Sequence, residues 1–131
     1  DPYSAYRAAA QLAAWVERDD WMDLLNAYGR CIRIVREQET RFEFKPGLDP
    51  EPASAALRDA YVGARAQITP ESDVDRLLTA LHPMIPAISG FFDSVLVMHE
   101  DRALQESRLG LLQDIWELGQ GIVDVTRLEG F

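Results

Sequence analysis

Apolar residues recur along this chain at steps of three and four, and those steps lay out its elements in order. Residues 3–17 are rich in alanine, with Ala5, Ala9, Leu12, Ala13 and Val16 close to one face of a first helix. Asp19 and Asp20 stand where carboxylates can cap a second helix. Its apolar positions are Trp21, Leu24, Leu25, Tyr28, Ile32 and Val35, a helical period and not the alternation of a strand. Gly29 weakens that helix by about 1 kcal/mol relative to alanine, which suggests a neighbouring helix passing close. Phe42 and Phe44 then alternate with charged residues, as in a short extended piece, before Pro46-Gly47 and Pro50-Glu51-Pro52 mark a loop. A third helix carries Ala53, Ala56, Leu57, Ala60, Tyr61 and Ala64.

Thr69-Pro70-Glu71-Ser72 reads as the next helix start. Thr69 can accept from the first free amides, Pro70 suits the first turn, and Glu71 favours the positive end of the dipole. The apolar face that follows, Val74, Leu77, Leu78, Leu81, Ile85, Ile88, Phe92 and Val95, stays in phase across Pro83 and Pro86. A proline inside a helix removes a hydrogen bond and kinks it, so a kinked helix or two helices end to end are expected. A last helix spans about 101–126 on Leu104, Leu111, Ile115, Leu118, Ile122 and Val125, with Gly119 and Gly121 loosening its end. The pattern predicts an all-α fold, an irregular bundle of five to six helices forming a single domain over residues 1–131.

Composition narrows the function classes. With 131 residues, 47% hydrophobic and 27% charged, the chain suits one ordinary globular domain. No apolar run reaches the roughly 18 residues of a membrane span, so no membrane partner is expected. Asp1 to Arg7 lack the pattern of a signal peptide, and the single cysteine, Cys31, excludes an internal disulfide or a multi-cysteine zinc site. A reducing cytoplasmic compartment is the expectation. Because the chain opens on Asp1 and not on methionine, we expect it to be a piece of a longer protein. Thirteen basic against 22 acidic residues give a net charge of −9, which argues against a free-standing nucleic-acid binder and against DNA as a partner. Most of the deficit falls after residue 50, and only residues 30–45 are locally positive.

Candidate chemistry is thin. His82 and His99 have no ligand partner at helical spacing, so no metal site is expected. Cys31 lies beside the apolar stripe, where a cysteine is usually buried. Asp19, Asp20 and Asp23 are explained by the dipole of the helix they begin. Gly119-Gln120-Gly121 lacks the third glycine and the preceding strand of a phosphate loop. Phe91, Phe92 and Trp116 are expected in the core. No catalytic residues are assigned. Arg30, Arg33 and Arg36 differ, since steps of three place them on one arc flanking the apolar stripe. That arc is either a solvated face paired with Glu37 and Glu39 or a phosphate-contacting face.

Longer motifs bear on this choice. Phe91-Phe92-Asp93-Ser94-Val95-Leu96-Val97-Met98, followed by Ser107-Arg108-Leu109-Gly110-Leu111-Leu112, resembles the end of the β subunit of bacterial two-subunit glycyl-tRNA synthetases. Ala27-Tyr28-Gly29-Arg30-Cys31-Ile32-Arg33-Ile34 is similar to an earlier element of that family, and Ser4-Ala5-Tyr6-Arg7-Ala8 to the pattern that names the DALR anticodon-binding domain. The chain departs from the family at Ser4, Gly29, Arg33 and Ser107. The resemblance implies a helical C-terminal domain that receives the anticodon arm of tRNA(Gly), with Arg7, Arg30, Arg33 and Arg36 as RNA-binding residues. It implies a synthetase α subunit, or a fused α portion, as partner. ATP and Mg would serve the full enzyme there, with no cofactor in this segment. A DALR domain of arginyl-tRNA synthetase has a similar build, but its characteristic Met ending is absent from Arg127-Leu128-Glu129-Gly130-Phe131. A noncatalytic subunit-docking module also stays open, and the −9 charge favours it. An independent helical enzyme finds no catalytic constellation.

Overall fold

A computed structural model describes residues 1–131. It contains six α-helices and no strand: α1 (Pro2–Val16), α2 (Trp21–Val35), α3 (Pro52–Arg65), α4 (Val74–Leu81), α5 (Ile85–Ser94) and α6 (Arg102–Glu117). Short 3₁₀ turns occupy His82–Met84 and Val125–Arg127. The all-α bundle expected from the apolar spacing is what forms.

The second helix organises the core. All six of its expected apolar positions are buried, and they pack chiefly against α6 and α5. Full burial of a side chain such as Leu25 or Ile32 stabilises by about 1.5–3 kcal/mol. Pro83 and Pro86 divide the next apolar stretch as their chemistry requires. Helix α4 gives way to the 3₁₀ turn and then to α5, with one buried face kept throughout.

Several boundaries and faces differ from the expectation, each for a tertiary reason. In α1 the packed side is Ala8, Leu12 and Trp15, while Ala5, Ala9, Ala13 and Val16 are exposed. One indole buries more apolar area than several alanines, and Trp15 donates its Nε1–H to Asp75 at 2.9 Å. Helix α4 starts at Val74, not at Thr69. Asp73 caps it by accepting from Arg76 N–H at 2.9 Å, and Arg7 and Gln11 of α1 donate to the same carboxylate. Residues 69–72 form a turn in which Thr69 N–H donates to Ser72 Oγ.

Asp20 occupies the N-cap position of α2 but makes no capping bond. Its carboxylate is held instead by Arg18, through two hydrogen bonds of 2.8 and 2.9 Å, and by His82 at 2.7 Å. Helix α6 ends at Glu117, nine residues before the expected limit. Buried Tyr28 terminates it, its hydroxyl donating to Trp116 C=O at 2.7 Å and accepting from Gly119 N–H at 3.1 Å. Gly121, at φ 84°, then turns the chain into a conformation that favours glycine.

The Phe42–Phe44 piece is extended but joins no sheet; it lies along α6 as a strap. Phe42 N–H donates to Gln113 Oε1, Gln113 Nε2–H donates to Thr40 C=O, and Lys45 N–H donates to Ser107 Oγ, each at 2.8 Å. Gly110 makes the approach possible, because a Cβ there would sit 2.8 Å from the strap backbone.

Candidate nucleic-acid interface

Burial of one side of α2 dictates what the other side presents. With Tyr28, Cys31, Ile32 and Val35 inward, Arg30, Arg33 and Arg36 project to solvent. The negative end of the helix dipole favours Arg33 and Arg36 there. None of the three has a carboxylate within 4.0 Å, so the pairing with Glu37 and Glu39 weighed from spacing does not form. Their partners are aromatic. The Arg30 guanidinium lies 4.3 Å from the centre of the Phe92 ring. Those of Arg33 and Arg36 lie 5.2 and 5.3 Å from the centre of the Phe131 ring. Such contacts attract a cation to the ring face, and they leave its charge uncancelled.

Gly29 accounts for Phe131. A Cβ at Gly29 would come within 3.2 Å of that ring. The glycine thus admits the chain's last residue, and not a neighbouring helix as spacing suggested. Of Phe91 and Phe92, both expected in the core, Phe91 is fully buried there, while Phe92 packs against it half-buried beneath Arg30. Trp116 is half-buried against the core.

Arg7 stands apart from this arc. It donates to Asp73 at 3.0 Å and thereby ties α1 to the start of α4. Arg41 and Arg108 are neutralised in place, whereas Arg65 and Arg76, like the arc, have no carboxylate within 4.0 Å. Arg41 bonds Glu117 and Asp114, and these carboxylates hold its guanidinium above its ordinary range. Arg108 forms a two-pronged pair with Asp49 at 2.9 and 3.0 Å, the side chains 4% and 1% exposed, and donates to Leu96 C=O. Ser107, Arg108 and Gly110 therefore hold the strap and its following loop to α6. Sequence reasoning placed Phe92 in the core and missed Phe131, whose only signal was the gap at Gly29.

Other titratable groups have structural partners. Burial pushes the Cys31 thiol up to about 12, and it donates to Ala27 C=O. His99 Nδ1 accepts from Asp101 N–H. No cluster of three or more His, Cys, Asp or Glu is placed to hold a metal ion, and no helix is long and apolar enough to cross a membrane.

A helical bundle that carries an uncompensated arginine arc on an acidic body belongs, by its physical character, among domains with a localised cationic face. Its relatives are more particular, and by them the chain belongs to the glycine–tRNA ligase β-subunit family. The chain is 33% identical over 131 residues to the glycine–tRNA ligase β subunit of Moorella thermoacetica, covering 98% of this chain and 19% of that protein. It is 34% identical over 121 residues to the β subunit of Geotalea daltonii and 30% identical over 135 residues to that of Myxococcus xanthus. The chain thus spans less than a fifth of the length of the curated relatives it matches. No protein-family model matches it.

Proposed function

We propose that this chain is the DALR-type, C-terminal tRNA-recognition domain of a glycine–tRNA ligase β subunit, with the anticodon arm of tRNA(Gly) as its ligand. The observation that carries the reading is the arc of Arg30, Arg33 and Arg36, exposed and free of carboxylates in a chain of net charge −9. Its similarity to β subunits extends over nearly the whole chain. At physiological ionic strength the Debye length is about 8 Å, so acidic residues on distant faces are largely screened and the local arc governs contact. The domain's work is positioning: binding energy gained far from the reacting atoms directs the acceptor end towards them. Glycine activation, with its ATP and Mg, belongs to an α subunit or a fused α portion.

The test is tRNA binding by the full chain over a salt series. Replacing Arg33 with alanine should weaken binding and, where it contacts phosphate alone, reduce the salt slope by about one unit. If it reads a base, discrimination among anticodons should fall instead. Arginine variants indistinguishable from wild type in affinity, slope and anticodon preference would remove this face from the RNA site. A docking role is the second reading, favoured by the exposed α1 face with Tyr3 and Tyr6 each 75% exposed. It moves ahead if that result is obtained.

A further inference from the structure

We infer that Phe131 is a positioning residue for RNA binding, one that presets the guanidinium forks of Arg33 and Arg36 to meet phosphate groups of an RNA backbone. This rests on the RNA-binding reading above. Both guanidiniums lie within reach of one ring, at 5.2 and 5.3 Å from its centre. A carboxylate in the same place would also order them, but it would cancel their charge and occupy their N–H donors. An aromatic face orders the arginines and leaves every donor free. Two like charges on one ring, with no carboxylate within 4.0 Å, are an arrangement that an arriving phosphate relieves.

The ring itself is fixed. Phe131 N–H donates to Leu128 C=O at 3.1 Å. Gly130, at φ 94°, brings the chain back over Met22 and Leu25, and Gly29 leaves the space the ring fills. Arg30 over Phe92 at 4.3 Å repeats the device one turn earlier on the same helix. The physical gain is preorganisation. A free arginine loses much rotamer freedom when it grips a ligand, and one already held against a ring loses less at the moment of binding.

The experiment measures binding of a labelled anticodon stem–loop RNA from a glycine tRNA to the full chain, in a salt series, with a thermal melt of each variant. Phe131→Leu keeps an apolar side chain and removes the ring. It should lower affinity about two- to tenfold, the ordering cost of a rotamer-rich side chain that must then be met on binding, with an unchanged salt slope because both arginines remain. Phe131→Trp should bind like wild type. In an Arg33→Ala/Arg36→Ala background, Phe131→Leu should cause no further loss. An equal loss with and without the arginines, no loss at all, or a Phe131→Trp variant as weak as Phe131→Leu would overturn the inference and leave the RNA-binding reading standing. Wild-type binding by Arg33→Ala/Arg36→Ala itself would overturn both.

Discussion

Phe91 and Phe92 are neighbours in sequence with separate roles, and the difference is one of burial. Phe91 is fully buried, while Phe92 meets it edge-on at 5.4 Å between ring centres and lies half-buried beneath Arg30. Phe91→Ala should cost about 3–5 kcal/mol in urea denaturation, and Phe92→Ala clearly less. Equal costs would return Phe92 to the core. Cys31 supplies a second check at this scale. Its thiol is buried, with a pKa pushed up to about 12, so it carries almost no thiolate at neutral pH. Alkylation of the native chain should be slow and should become fast in denaturant.

Among the elements, α6 shows how one helix serves two surfaces. Its apolar seam joins α2, and its polar residues hold the strap from Thr40 to Lys45 and the loop beyond. The Asp49–Arg108 pair is almost wholly buried. Asp49→Ala strands the guanidinium and should cost about 3–5 kcal/mol in chemical denaturation. A cost under about 0.5 kcal/mol, typical of a surface position, would mean that the pair does not pin the loop. Gly110→Ala should destabilise as well, because the new Cβ would lie 2.8 Å from strap backbone that has no side-chain freedom to yield. The end of α6 depends on Tyr28 in the same way. Tyr28→Phe removes the hydroxyl from Gly119 N–H, which keeps Trp116 C=O at 3.2 Å, and should cost about 0.5–1.5 kcal/mol.

For the whole molecule, tertiary contacts make stability depend on acid. Hydrogen bonds from Arg18 and then His82 hold the Asp20 carboxyl well below its ordinary range. Arg76 N–H and Gln11 do the same for Asp73, and Arg41 for Glu117. Burial raises the Asp49 carboxyl, but hydrogen bonds from Arg108 and Glu51 N–H outweigh it and leave it lowered. Because these groups bind protons more weakly when folded, the unfolded chain takes up more protons as pH falls. Their stabilisation is fully present above the ordinary carboxylate values of about 4. It is lost as pH falls from there through the lowered folded values. Helical content followed by circular dichroism should therefore stay level near neutrality and fall in acid below about pH 4. Asp73→Asn should flatten that fall, and an unaltered profile would show that Asp73 contributes no proton linkage.

Local chemistry along the chain sufficed for the all-α class, the buried face of α2, the proline break between α4 and α5, and the placement of three arginines on one arc. Each follows from local rules: helical period, the missing amide of proline, and a fixed rotation per residue. Which face of α1 packs depends on the folded chain, because Trp15 and Gln11 find partners at Asp73 and Asp75, some 60 residues away. The end of α6 was likewise beyond local reading, since the group that stops it is the Tyr28 hydroxyl on α2. The arginine arc was legible as a place and not as an environment. Charge spacing offered Glu37 and Glu39 as partners, whereas folding brought Phe92 and Phe131 from the far end of the chain. Ring-to-guanidinium contacts between residues so distant leave no period in the sequence, and the gap at Gly29 becomes meaningful only once the chain has returned to fill it.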